Sequence, residues 1–292
     1  MKRAIIIGSR ESRLAVAQTQ LVIDELRRIN PELEIRLLTL KTTGDKILNR
    51  TLEEIGGKGL FVRELDEALL DGRIDLAVHS LKDLPMELHP DLPLAALPRR
   101  GDPRDALVFP AAGEQSLHVV GTSSARRRLQ AASLYPGAAF QPVRGNINTR
   151  LSKLDGGEYS ALILAAAGLV RAGLANRISR LFAPEEILPA AGQGILAVQC
   201  RKDFDRGLLT PLNHRETELA ALAERSFVRA LDGGCTSPAA AYAEVWGNEL
   251  RITGFYADPE GSFQLRGTLT GQVEEAEALG VRLAEELKEK IQ

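Results

Sequence analysis

Short apolar runs alternate with helix-spaced stretches through the first two hundred residues, and that alternation restricts the chain to an α/β class of fold. Ile5-Ile6-Ile7 reads as a strand, and Leu14, Ala17, Leu21 and Val22 give helical spacing after it. Residues 35–40 form a second strand, mostly apolar as in a buried parallel sheet. Leu60-Phe61, Leu65 and Ala68-Leu69 outline the next helix, and Gly72 suits its C-terminal stop. Leu76-Ala77-Val78 is the third strand. Pro98, Gly101 and Pro103 then break the pattern, and a second series follows. It has strands at 106–109, 119–120, 139–143 and 161–164, with helices from Ser124 and from Asn148. Residues 195–199 are strand-like and return the chain to the first domain. Two crossings between two α/β domains predict a hinged, two-lobed cleft. The 42–59 segment, with Thr43-Gly44-Asp45 and Gly56-Gly57-Lys58-Gly59, reads as a flap or a plain surface loop.

From Leu212 the pattern changes. Asn213-His214-Arg215-Glu216 reads as a capping box opening a helix to about Leu231. Strand-like runs at 239–245, 250–256 and 263–269 are joined by turns at Gly247-Asn248 and Pro259-Glu260-Gly261. An amphipathic helix over 273–291 closes the chain. The expected organisation is an α/β domain over 1–98 plus about 195–212, a second α/β domain over 99–194, and an α+β domain over 213–292. A chain of 292 residues is long enough for all three.

The strand ends are where an open α/β sheet places a ligand. Residues 74–85 run from Leu76-Ala77-Val78 straight into His79, Ser80, Lys82 and Asp83, and Pro85 prevents regular continuation. A solvated turn would look the same, so the reading leans on two further features. The first is charge. Residues 121–180 hold Arg126, Arg127, Arg128, Arg144, Arg150, Arg171, Arg177 and Arg180, with Lys153 as the one lysine. Nine bases against two acids leave this segment near +7 in a chain of net charge −2. Arg126 and Arg127 fall in a helix's first turn, where cations oppose the macrodipole, and an anionic ligand would remove that conflict. Gly121-Thr122-Ser123-Ser124 supplies hydroxyls and N–H groups for the same anion. Guanidinium pairs bidentately with carboxylate. A nucleic acid would want more aromatic platforms than Tyr135, Phe140 and Tyr159 offer. A small, multiply carboxylated ligand fits better.

The second feature is Cys235, preceded by Gly233-Gly234 and followed by Thr236-Ser237-Pro238. Such a loop lets a thiol project with little steric cover, and a thiol forms a lasting carbon–sulfur bond. Cys200, inside a strand, reads as structural. No run approaches the ~20 apolar residues of a membrane span, and the first ten residues lack the apolar core of a signal peptide. The expectation is a cytoplasmic protein with no disulfide and no membrane or nucleic-acid partner. No Cys or His pair has zinc spacing, so no metal is expected. Gly192-Gln193-Gly194 mimics part of a dinucleotide fingerprint, but a strand follows where a helix is required.

Taken in order, Ile7-Gly-Ser-Arg10, Gly56-Gly-Lys-Gly-Leu-Phe61, Val78-His-Ser-Leu-Lys-Asp-Leu-Pro85, Gly121-Thr-Ser-Ser-Ala-Arg-Arg127, Arg144-Gly-Asn, Thr149-Arg150-Leu, Gly192-Gln-Gly194 and Gly233-Gly-Cys235 resemble the porphobilinogen deaminase family. The match covers nearly the whole chain. One departure is Cys235-Thr-Ser-Pro-Ala, where the family commonly has Gln after the Cys and Gly after the Pro. The resemblance implies two periplasmic-binding-protein-like lobes (type II) plus a cysteine-bearing α+β domain, and a monomer. It implies polymerisation of four porphobilinogen molecules into a linear tetrapyrrole with loss of ammonia, on a dipyrromethane cofactor held by a thioether. On this reading Cys235 is the anchor and Asp83 the catalytic carboxylate. Arg10, Arg126, Arg127, Arg144, Arg150 and Arg171 bind acetate and propionate groups. Lys58, Ser80, Lys82, Thr122, Ser123, Ser124, Gly145 and Gln193 are their neighbours. The rival reading is a non-catalytic two-lobed binding protein for a multi-carboxylate anion, which would account for the arginines but not for Cys235.

Overall fold

The computed structural model describes residues 4–41, 62–113, 116–231 and 238–291. Lys58, Cys235 and the whole of the 42–59 segment, with its flap or loop reading, therefore lie outside the described residues. In chain order the elements begin with β1 (Ile5–Arg10), α1 (Arg13–Ile29), β2 (Ile35–Leu40), α2 (Arg63–Leu70), β3 (Leu76–Ser80) and β4 (Leu94–Ala96). Next come β5 (Asp105–Val108), β6 (Val119–Gly121), α3 (Ala125–Leu134), β7 (Ala139–Gln141), α4 (Ile147–Asp155), β8 (Ala161–Ala165), α5 (Ala166–Arg171) and β9 (Arg180–Leu181). The chain ends with β10 (Leu196–Cys200), α6 (Arg215–Ala230), β11 (Ala239–Trp246), β12 (Glu249–Ala257), β13 (Gln264–Gln272) and α7 (Ala276–Glu289). No helix among the described residues is long and apolar enough to cross a membrane.

Two compact units result: residues 1–100 with 195–218, and residues 101–194 with 219–292. The first is built on a sheet of order β2-β1-β3-β10-β4, in which β1, β2 and β3 run parallel and β10 lies antiparallel to β3. The second has a sheet of order β7-β6-β8-β5-β9, with β5 antiparallel to β8. Each sheet is thus a parallel three-strand βαβ core extended by a reversed strand (β10 or β5) and by a short fifth strand (β4 or β9) antiparallel to that one. The third sheet, β11-β12-β13, is an antiparallel meander packed on α7 within the second unit.

Burial follows neighbourhood. β10 and β5 each have strands on both sides, and every one of their residues is buried. β2 corrects the sequence reading. Its run is apolar, yet only Ile35 is fully buried, because β2 is an edge strand. α1 is capped by Ser12, whose Oγ accepts from the Ala15 N–H at 3.3 Å, and it turns Gln18, Thr19, Val22, Ile23 and Leu26 inward. The capping box expected at Asn213 is also displaced. His214 Nδ1 accepts from the Thr217 N–H at 3.3 Å, while Asn213 Oδ1 accepts from the Leu97 N–H at 2.8 Å. An Asn side chain can tie down a distant strand end as readily as its own helix, and here the tertiary partner wins.

Candidate active site

The carboxyl end of β3 carries the first half of the site. The strand is buried up to His79, and Leu81–Asp83 then forms a single 3₁₀ turn that Leu84 leaves in extended conformation. The turn buries Leu81 and leaves Asp83 exposed, with no side-chain partner among the described residues. Parallel register between β1 and β3 brings Arg10 beside this turn. A cavity of about 30 Å³ is lined by Arg10, Ala15, Gln18, Val62, Val78, His79, Ser80 and Asp83. That is room for water rather than for a ring. Gln18, which the sequence reading missed, reaches from α1 to exchange hydrogen bonds with the Ser80 hydroxyl at 3.1 and 3.3 Å. His79 is 6% exposed, and Nε2 has no partner. Burial, with Arg10 nearby and against a contact to Gln199, pushes its pKa down to about 4. His79 is therefore a neutral wall of this cavity at physiological pH.

The second unit holds the arginines. Ser124 caps α3, accepting from the Arg127 N–H at 3.4 Å, and Ser123 Oγ both donates to Val143 O (2.8 Å) and accepts from Val143 N (3.1 Å). The hydroxyls assigned to an anion are thus also the fasteners between α3 and the end of β7. Arg126 and Arg127 are 5% and 8% exposed, and both face the buried carboxylate of Asp105. The macrodipole conflict expected at this helix start is relieved from inside, by a side chain at the head of β5. Gln193 Nε2 donates to Asp105 Oδ1 at 2.9 Å and to Pro103 O at 2.7 Å. Arg171, pushed down to about 10 by burial, donates from Nη2 to Gly194 O at 2.5 Å.

Arg144 and Gly145 form the bend that leads into α4, and Arg150 lies in the first turn of that helix. Gly145 has φ +108°, and a Cβ there would meet Thr149 at 2.7 Å, so only glycine fits. Arg150 Nε donates to Gly145 O at 2.7 Å. Arg144 is half-buried and has no partner among the described residues. The remaining arginines of the cluster are spent elsewhere. Arg177 pairs with Asp155 at 2.7 Å, Arg180 with Glu186, and Arg128 donates to Pro259 O at 2.7 Å. Cys200 is buried in β10, and burial pushes its thiol pKa up, which removes it as a nucleophile. Within the first unit, then, the chain gathers Arg10, Ser80, Lys82 and Asp83 at one strand end. Within the second it gathers Arg126, Arg127 and Gln193 around Asp105, with Thr122, Ser123 and Ser124 between β6 and α3, Arg144 and Gly145 between β7 and α4, and Arg150 in α4.

Residues 5–208 match the family model described as porphobilinogen deaminase, dipyromethane cofactor binding domain, and residues 218–289 match porphobilinogen deaminase, C-terminal domain. The chain belongs to the porphobilinogen deaminase family. Curated relatives named porphobilinogen deaminase include that of Acetivibrio thermocellus, 52% identical, with 97% of each chain covered. That of Alkaliphilus oremlandii is 50% identical, over 97% of this chain and 96% of the relative. That of Chromobacterium violaceum is 48% identical, over 97% of this chain and 94% of the relative. Family membership does not favour the reading as a non-catalytic anion-binding protein.

Proposed function

We propose that the protein is a transferase that joins four porphobilinogen molecules head to tail into hydroxymethylbilane, releasing ammonia at each addition, on a dipyrromethane tied to Cys235 by a thioether. The observation that carries the reading is Asp83. Its carboxylate is exposed at the end of β3, unpartnered among the described residues, and shares a cavity wall with Arg10. A carboxylate in that state is available to a cation that develops on substrate as ammonia leaves, where a placed charge is worth most. It can also hold and return a proton at the leaving amine.

The donor set suits the cofactor. A dipyrromethane with acetate and propionate arms needs guanidiniums, and Arg144 stands half-buried with no partner among the described residues to release. Arg126, Arg127, Arg144 and Arg150, with Ser80, Lys82, Thr122, Ser123, Ser124 and Gly145, would hold it. When bound, the cofactor supplies the pyrrole carbon from which the chain is extended. Arg10, Lys58, Arg171 and Gln193, with Arg144 and Arg150, would orient incoming substrate through its two carboxylates.

The test is the intact mass of the purified protein together with turnover. The expected mass exceeds that of the polypeptide by two pyrrole units, retained in Cys200→Ser and lost in Cys235→Ser. Asp83→Ala is expected to keep the added mass while turnover falls by roughly 10²–10³. Asp83→Glu, with its charge displaced by one methylene, should fall between. Active protein with the bare polypeptide mass, or near-normal turnover in Asp83→Ala, would overturn the reading.

A further inference from the structure

Asp105 begins β5, and its side chain is 0% exposed. Two hydrogen-bonding residues and one further ion-pair partner converge on it. Arg127 donates from Nε and Nη2 to Oδ1 at 3.0 and 2.7 Å, Arg126 Nη1 lies 2.8 Å from Oδ2, and Gln193 Nε2 donates to Oδ1 at 2.9 Å. Burial raises the cost of the charge, but the two guanidiniums outweigh it and hold the carboxyl well below the usual carboxylate range. Backbone carbonyls complete the frame. Arg126 Nη1 donates to Leu188 O at 2.6 Å and Arg127 Nη1 to Ile163 O at 3.2 Å. Each guanidinium keeps N–H groups that this frame does not use: Nε and Nη2 on Arg126, and a second hydrogen on each terminal nitrogen of Arg127. A buried charged cluster is a poor source of stability compared with apolar packing. What it supplies is orientation, and two cations against one anion leave it with an excess positive charge.

We infer that Asp105, braced by the Gln193 amide, is the positioning residue of the carboxylate-binding arginines, fixing Arg126 and Arg127 so that the guanidiniums' remaining donors meet a carboxylate already aligned. The inference rests on the proposed role of these arginines in holding the cofactor. It differs in sign from a purely electrostatic account. An aspartate beside an anion site repels the anion, so on charge alone its removal speeds loading. If Asp105 positions the pair, its removal slows loading, because a misplacement of ~1 Å costs roughly 10²-fold.

The experiment uses the full-length apoprotein, produced without porphobilinogen, in wild-type, Asp105→Asn and Asp105→Glu forms. Each is mixed with porphobilinogen. Covalent loading is followed by intact mass, and the urea midpoint of each apoprotein reports the fold. The expected result is folded Asp105→Asn that loads roughly 10²-fold more slowly, with partial recovery in Asp105→Glu, which restores the charge. If Asp105→Asn fails to fold, slowed loading in folded Asp105→Glu supports the same conclusion. Loading at the wild-type rate or faster in a folded variant overturns it. So does failure of both variants to fold, which assigns Asp105 to stability alone. Absence of any adduct in the wild-type protein overturns the cofactor reading itself, and this inference with it.

Discussion

Arg126 and Arg127 differ from Arg144 in what their charge already holds. Removing either buried guanidinium leaves Asp105 short of a partner at 0% exposure, and breaking a buried pair in this way costs about 3–5 kcal/mol. Arg144 has no partner among the described residues, so its removal orphans none of them. Arg126→Leu and Arg127→Leu should therefore lower the urea midpoint of the apoprotein and impair loading together. Arg144→Leu should impair loading with the midpoint within ~0.5 kcal/mol of wild type. Equal midpoints in all three would show that Asp105 does not depend on the pair. This division was not legible in the sequence. The clustering of arginines was, and so was the polar turn ending in Asp83, because both are local. Asp105 reads locally as one more acid after a proline. Its partners stand more than twenty residues on, and only the β5–β8 pairing and the seat of α3 bring them together. The acid that consumes Arg177 is hidden in the same way, since Asp155 reaches it only through the fold.

At the scale of elements, periodicity located most strands and helices but could not rank their exposure. The apolar run of β2 and that of β10 look alike in sequence. Strand order alone makes one an edge and the other a centre, and order is set by crossovers that no short window contains. The place where the chain leaves the second unit shows what an element end can do for the site. Gly194 has φ +89°, and a Cβ there would lie 2.7 Å from Gly101 O, while the Gly101 N–H donates to Gly194 O at 3.0 Å. The same Gly194 carbonyl receives Arg171. Gly194→Ala should thus cost about 1–3 kcal/mol in a denaturant titration, through strain and the clash. It should also lower kcat/KM for porphobilinogen while the cofactor mass is retained, since Arg171 loses its fixed acceptor. A variant with wild-type stability and kinetics would show that the carbonyl does not set the arginine's position.

For the molecule as a whole, two groups of opposite sign among the described residues couple the first unit to pH. His79, against Gln199 of β10 and near Arg10 of β1, has its pKa pushed from 6.5 to about 4 by burial. The unfolded chain binds that proton first. Stability from neutral His79 is therefore complete above 6.5 and is lost as pH falls toward 4, a difference worth ~3 kcal/mol. Asp66 of α2 is raised by burial, partly offset by His89, from 3.8 to about 6. Here the folded chain binds the proton first, so stability is gained as pH falls from 6 toward 3.8. Its carboxyl is partly solvated, and the gain is smaller than a dry site would give. The two windows overlap, and the wild-type protein should show only a shallow loss between pH 6.5 and 4.5. The variants pull them apart. Asp66→Asn leaves His79 unopposed, so acidification should destabilise it more steeply than wild type. His79→Gln leaves Asp66 unopposed, so acidification over the same window should flatten or reverse the loss. Urea midpoints at pH 7 and pH 4.5 for the three proteins read the sign directly. Asp105 contributes nothing to the difference, because its depressed pKa keeps its own stabilisation intact until the pH drops below the ordinary carboxylate range. Parallel acid profiles for Asp66→Asn and His79→Gln would mean that neither group carries its shift into the folding equilibrium.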